Sequence, residues 1–268
     1  MKRTGFGIMV FLIFPLIVFA GGEDDGGELR KDVTDPFKPG EELKYKVKYN
    51  LYFNIGVGRV NFRITNESYQ KQGSKCHKII TKGRTLGFYD PFYKVRDHYE
   101  TCLDFEKMVP NYFYRDVNEG GYTFTDRVRF NHDSNTAKTK DGTVYSIPHK
   151  TQDLLSALYY ARTFDLDNAT PGDTALINAF IDDTTYTVGM KYVGKEVIKT
   201  KFGKYKCLKI KPILIVGRIF DSKYDMTMWV TDDQNKIPLR IKSGISVGAI
   251  KAELVEYKNL KHPFMEKE

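Results

Sequence analysis

The sequence predicts a mainly β protein: a strongly curved antiparallel sheet or incomplete barrel, built as a meander, with one packed helix near residues 151–164. Three observations carry this. Apolar residues recur at every second position in run after run, the period of a half-buried strand. Gly, Asn and Asp separate these runs at short spacing, as hairpins require, whereas a parallel fold would need a helical crossover after each strand. Aromatic residues make up 14% of the 268 positions, with 18 Tyr and 18 Phe, a composition that suits pleated surfaces and not an unstructured chain.

At the amino terminus, Lys2 and Arg3 precede an uncharged apolar run over 6–19, and Val18-Phe19-Ala20 offers compact residues before a cut. Residues 1–20 therefore read as a signal peptide. The run falls short of the roughly 20 residues that span a bilayer. Residues 21–36, rich in Gly, Asp and Glu, read as a flexible leader, and 37–260 as a single β-rich domain.

Leu43, Tyr45, Val47, Tyr49, Leu51 and Phe53 alternate with lysines and form the clearest strand. Asn54-Ile55-Gly56-Val57-Gly58 is expected to turn it, and Val60, Phe62 and Ile64 continue as the second. Further strands are expected at 76–84, 94–103, 111–117, 122–130, 136–140 and 143–147. Leu154, Leu155, Leu158 and Ala161 then recur at helical spacing, with Thr151 as the expected cap and Asp153 in the first turn. A helix with one apolar stripe must lie on something, and the concave side of a curved sheet is the natural place. Strands resume at 175–181, 185–193, 196–200, 205–212 and 213–218. The chain closes with a meander over 224–230, 237–241 and 245–257, whose first tip is Asp232-Asp233-Gln234-Asn235.

The formal charge of +8 falls to +6 if Lys2 and Arg3 leave with residues 1–20. Lysines mostly alternate with apolar residues, which places them on the solvated faces of strands and discourages edge-to-edge association. No nucleic-acid groove is expected. Three cysteines are present. Cys76 and Cys102 are equidistant from Tyr89, so strands paired about that point would set them opposite each other, either as a disulfide or as two buried thiols.

The chemistry motifs are missing. His77, His98, His132, His149 and His262 never form a close pair, and neither His-Glu-x-x-His nor Cys-x-x-Cys occurs. Asp165-Leu166-Asp167-Asn168 lacks the glycine and distant glutamate of a calcium loop. Asp182-Asp183 and Asp232-Asp233 suit turns. No Gly-x-Ser-x-Gly elbow is found, and Gly56-Val57-Gly58 precedes a strand where a phosphate loop would precede a helix. No catalytic residue, metal or cofactor is expected, and the chain does not read as an enzyme.

Aromatic surface remains. A Tyr- and Phe-rich sheet curled around one helix would have a broad apolar concavity, and Tyr45, Tyr49, Phe53, Phe62, Tyr122, Phe124 and Phe130 are the candidates to line it. They either hold a lipid, an acyl chain or another amphiphile, or fill a packed core. Asp126 interrupts the apolar face of its strand, so it belongs at the rim or beside a basic partner.

A set of segments resembles the bacterial domain-of-unknown-function family 3108. They are Pro39-Gly40-Glu41-Glu42-Leu43-Lys44-Tyr45, the Gly56-Val57-Gly58 turn, and Asp153 with Leu154-Leu155-Ser156-Ala157-Leu158-Tyr159-Tyr160. Val193-Gly194-Lys195-Glu196-Val197 and Phe202-Gly203-Lys204-Tyr205 follow. Trp229-Val230-Thr231-Asp232-Asp233, Ile237-Pro238-Leu239-Arg240-Ile241 and the stretch from Gly248 to Val255 complete the set. The resemblance implies a secreted or periplasmic protein on a strongly curved sheet, similar in outline to the periplasmic lipoprotein carriers with their half-open barrel. It transfers no catalytic or binding residue.

The expectation is a non-catalytic exported binding or carrier protein of the cell envelope, in the periplasm or at the outer-membrane periphery, with a lipid or other amphiphile as ligand. The alternative is a structural or interaction module with a filled core, whose outer face meets an envelope protein or an anionic surface.

Overall fold

The computed structural model describes residues 29, 35–50, 52–71, 74–214, 226–245 and 247–268. The expected signal peptide over 1–20 lies outside the described residues, as do most of the 21–36 leader, residues 215–218 of the expected 213–218 strand, and Leu51.

Fourteen strands are described: β1 Glu42–Asn50, β2 Asn54–Lys71, β3 Ser74–Thr85, β4 Arg96–Asp104, β5 Val109–Glu119, β6 Tyr122–Asn131, β7 Thr136–Lys138 and β8 Val144–Ser146 precede the helix, α1 Leu154–Ala161. After it come β9 Thr174–Ile181, β10 Thr184–Lys199, β11 Lys204–Leu214, β12 Met226–Thr231, β13 Pro238–Gly244 and β14 Ala249–Lys258. All belong to one sheet in the order β8-β7-β6-β5-β4-β3-β2-β1-β14-β13-β12-β11-β10-β9. Each half of the chain is a meander, and the halves join where the first strand pairs antiparallel with the last, Glu42 opposite Lys258 and Asn50 opposite Ala249. The expected mainly β, curved antiparallel sheet is the observed one.

β8 and β9 are the free edges, so the sheet does not close through backbone hydrogen bonds. Side chains bridge the seam instead. Phe180 of β9 meets Phe130 of β6 at 6.3 Å and Tyr145 of β8 at 5.4 Å between ring centroids. Arg115 of β5 forms an ion pair with Asp182 in the β9–β10 turn. The chain entering α1 also covers the β9 edge: Gln152 donates to the Asn178 carbonyl at 2.7 Å and accepts from Phe180 N–H at 2.8 Å. An uncovered edge would template association with another chain.

The helix is anchored at its start. Asp153, and not Thr151, is the cap: its carboxylate accepts from the N–H groups of Leu155 at 2.7 Å and Ser156 at 2.9 Å, while Ser156 Oγ accepts from Asp153 N–H at 2.8 Å. This is a reciprocal capping box. Thr101 on β4 donates to the same carboxylate at 2.5 Å, tying the helix start to the sheet. Thr151 turns its hydroxyl to the Pro148 carbonyl instead. The helix is shorter than the expected 151–164 because its cap falls at Asp153 and its C-cap at Arg162.

Other expectations shift by a few residues. Asn54 to Gly58 lies within β2 and not in a turn, because β1 ends at Asn50 and leaves Phe53 on the tip. The expected strands 185–193 and 196–200 are one strand, β10, with a register shift between Tyr192 and Gly194 that a glycine at φ +130° accommodates. The last strand begins at Ala249, four residues later than expected, because a turn with Gly248 at φ +86° precedes it. A side chain at Gly248 would approach the Asn50 carbonyl to 2.5 Å, so the tip accepts only glycine there.

Cys76 and Cys102 are disulfide-bonded, with Cα atoms 5.4 Å apart. The two are not directly opposite: the register sets Lys78 against Cys102 and His77 against Leu103, so Cys76 is the diagonal neighbour of Cys102. Cys207 is a free, buried thiol that burial pushes up to about 12, which leaves it unreactive at neutral pH.

Candidate functional site

An apolar cleft opens between α1 and the concave face of the sheet. Its floor is built from the middle of the sheet, Leu43 and Tyr45 of β1, Val60 and Phe62 of β2, and Ile241 and Ala252 of β13 and β14; Leu158, Tyr159 and Arg162 of the helix segment form its roof. The cavity proper is about 40 Å³ and the rest of the gap is open to solvent at the mouth, so this is a narrow slot and not a sealed cavity. Alternation explains the floor: Leu43, Tyr45 and Val47 are buried on the inner face, while Lys44, Lys46 and Lys48 point outward.

One charged pair borders the cleft at Arg162. Arg162, directly after the helix, donates to both carboxylate oxygens of Glu41, at 2.7 and 2.9 Å, and both side chains are buried. Its remaining donors reach the carbonyls of Asn235 at 3.0 Å and Pro36 at 3.3 Å. The guanidinium also stacks against Phe37 and Tyr159, 5.1 and 5.2 Å from their ring centroids. Burial opposes the charge on Arg162, and the carboxylate of Glu41 more than offsets that, so the guanidinium stays charged. The Tyr45 hydroxyl, raised well above its ordinary pKa by burial, donates to the Pro238 carbonyl at 2.9 Å. These polar groups are spoken for, and the Tyr159 hydroxyl is the buried polar atom of the lining without a partner.

The seven predicted lining residues separate into groups. Tyr45 and Phe62 line the cleft together, their rings 5.7 Å apart. Tyr49 lies two inward positions beyond Tyr45 along β1, half-buried, with its hydroxyl on the Val247 carbonyl. Phe53 is exposed on the β1–β2 tip. Tyr122 and Phe124 stack on each other at the β5–β6 end, 6.5 Å apart and exposed, with Arg115 over Phe124 at 4.8 Å. Phe130 is buried at the seam. Asp126 has a basic partner, Arg115 at 3.1 Å.

Arg115 belongs to a second inward polar group. Asp97 and Glu119, on β4 and β5, are buried side by side, and Asp97 accepts from Asn118 N–H at 3.0 Å. Burial, reinforced by the hydrogen-bonded Glu119, pushes Asp97 up to about 8. A carboxyl raised in the folded state binds a proton that the unfolded chain releases. The stability it confers is therefore full below about pH 4 and is lost as pH rises through about 8. Asp97→Asn should remove much of the loss between pH 6 and 8.5, a difference on the order of 2–3 kcal/mol. Thermal melts of both proteins across that range check this, and equal slopes would contradict it.

Sequence reasoning passed over Glu41, Arg162, Asp97, Arg115 and Glu119. For four of them a signal was present. Glu41 falls in phase with Leu43, Tyr45 and Val47, Asp97 with Tyr99, and Arg115 and Glu119 with Phe113 and Val117. A charge in phase with an apolar strand face is either buried with a partner or misplaced. Arg162 follows the last helical turn and has no such periodic signature.

Among the described residues no group of three or more His, Cys, Asp or Glu side chains could hold a metal, and no helix is long and apolar enough to cross a membrane.

The fold and cleft define a class: an unclosed antiparallel sheet wrapped like a barrel around one helix. The chain belongs to the DUF3108 family of proteins of unknown function, whose model matches residues 44–255. The comparison with curated proteins finds no match. Among solved structures, the chain is similar to a β-barrel-like protein of the domain of unknown function DUF1849 from Brucella abortus, with 10% identity and a TM-score of 0.52, over 84% of this chain and 99% of that one. A Bacteroides fragilis protein with a YmcC-like fold covers the same shares at 10% identity, with a TM-score of 0.35. The first supports the fold alone.

Proposed function

We propose that this protein is a non-catalytic carrier that seats the apolar part of a lipid or similar amphiphile in the cleft beneath α1. What supports the proposal is that the cleft is lined mainly by apolar side chains and that Arg162 on its roof is satisfied by Glu41, so the Tyr159 hydroxyl is the buried polar atom of the lining left for an amphiphile's polar end. An enzyme would need polar groups free to act on a substrate. In the cleft, Arg162 and Glu41 hold each other. The protein works outside the cytoplasm, in the periplasm or at the outer-membrane periphery; the amino-terminal pattern supports this, and so does the Cys76–Cys102 disulfide, which suits an oxidising compartment.

Filling the slot tests the proposal. Titration with a fluorescent fatty acid should show saturable binding, and Val60→Phe or Ala252→Phe should weaken it at least tenfold, since excluding two methylenes costs about 1.6 kcal/mol. Melting curves establish that the variants fold. A filled variant that folds and binds as well as the parent would refute the cleft as the site. Absence of binding in the parent would favour a packed interaction module.

A further inference from the structure

In an antiparallel meander alternate hairpin tips emerge at one end of the sheet. The β1–β2, β3–β4 and β13–β14 tips are therefore neighbours, with Asn50 paired to both Asn54 and Ala249. They carry apolar residues in water. Tyr52 is 86% exposed, Phe53 77%, Phe88 78%, Phe92 80% and Val247 60%. Scattered exposed apolar groups need no explanation, but several gathered on adjacent tips of one end do.

The outer face next to these tips is basic. Lys46 stands opposite Arg59, Arg59 opposite Arg84, and Arg84 opposite Arg96, so four cations form one row across four strands. Lys48, Lys251 and Lys242 form another row across β1, β14 and β13. Like charges directly opposite one another destabilise a sheet. Two carboxylates lie among them: Asp90 is held by Arg96 at 2.5 Å, and Glu253 by Lys48 and Arg240. Lys46 stands opposite Glu253 of β14, whose carboxylate pairs with Lys48, Arg240 and Lys251, and among the described residues Arg59 and Arg84 form no ion pair. Folding alone gives no reason for the row.

We propose that this end of the sheet is a docking surface for an anionic lipid bilayer, with the aromatic tips entering the headgroup boundary and the cation rows facing acidic headgroups. Aromatic rings suit that boundary because one part is apolar and the surroundings are wet. Each cation near an anionic surface strengthens attachment about fivefold, an attraction that salt screens within a Debye length. The surface stands apart from the cleft and does not rest on what the cleft binds. The inward side of β1 does connect them, running from Tyr45 in the cleft to Tyr49 near the tips, about 13 Å.

Co-sedimentation with vesicles tests this. Protein recovered from cells, its processed mass checked, should pellet with phosphatidylglycerol/phosphatidylcholine vesicles and not with phosphatidylcholine alone, and less at high salt. Arg59→Gln with Arg84→Gln should weaken binding more than tenfold, and so should Phe53→Ser with Phe88→Ser and Phe92→Ser; all five sites are exposed, and melts should match the parent. Val60→Phe should bind vesicles normally even if it loses the fatty acid, which separates this surface from the cleft. Equal pelleting with both vesicle types, or unchanged binding in both variants, would overturn the proposal. So would loss confined to the charge variant together with competition by polyglutamate, which would assign the surface to an acidic polypeptide.

Discussion

Glu41→Ala should destabilise the protein by about 3–5 kcal/mol, the usual consequence of leaving one member of a buried ion pair without its partner. The guanidinium of Arg162 would remain beneath the helix with two carbonyls and two aromatic faces for company and no counter-charge. That pair joins three parts of the chain distant in sequence: the segment entering β1, the end of α1, and the β12–β13 turn. Arg162→Met should cost a similar amount by stranding Glu41. The double variant Glu41→Leu with Arg162→Met should recover much of the loss, since an apolar pair needs no desolvation of charge. Denaturant titration of the four proteins gives the coupling. Additive losses would show that the pair does not act as a unit, and a mild effect of either single change would contradict its burial.

Removing the disulfide should be nearly as costly. Cys76 and Cys102 are 26 residues apart, and the entropy of closing a loop of that size corresponds to about 3–4 kcal/mol. For a chain of this length the melting temperature of Cys76→Ser with Cys102→Ser should fall by roughly 10 °C. The bond staples β3 to β4, whose tip carries Phe88 and Phe92 and whose inner face supports the helix through Thr101. Cys207, buried and held as a thiol, should not substitute for either partner. Intact-mass thiol counting should find one free thiol before reduction and three after. Three free thiols in the untreated protein would contradict the assignment.

What the sequence disclosed follows from the range of the forces involved. Strand phase is local, so the alternation of Leu43, Tyr45 and Val47 with lysines announced the buried face of β1 correctly. Helix position was legible from Leu154 to Ala161, yet the cap was not, because Thr151 and Asp153 are both good caps. What selected Asp153 is Thr101, fifty-two residues away. The diagonal offset of Cys76 and Cys102 has a similar cause: the hairpin axis falls at residue 90, and one residue of difference moves a partner two places along the strand.

The candidate site was legible in part for the same reason. Tyr45 and Phe62 came together because neighbouring strands with known phase must put them on one face. Tyr122, Phe124 and Phe130 are equally in phase with an inner face, but how far a curled sheet carries each strand from the helix is a property of the whole sheet. Phe53 was assigned to β1 because alternation ran on past Asn50, where the chain already turns.

Whether the cleft holds an amphiphile is tested most directly by native mass spectrometry of the protein taken from the cell envelope before any delipidating step. A co-purifying mass in the lipid range that leaves on activation is the expected result for a carrier, with less of it in Val60→Phe. A bare protein mass, with no thermal shift on adding fatty acids or phospholipids, would contradict it.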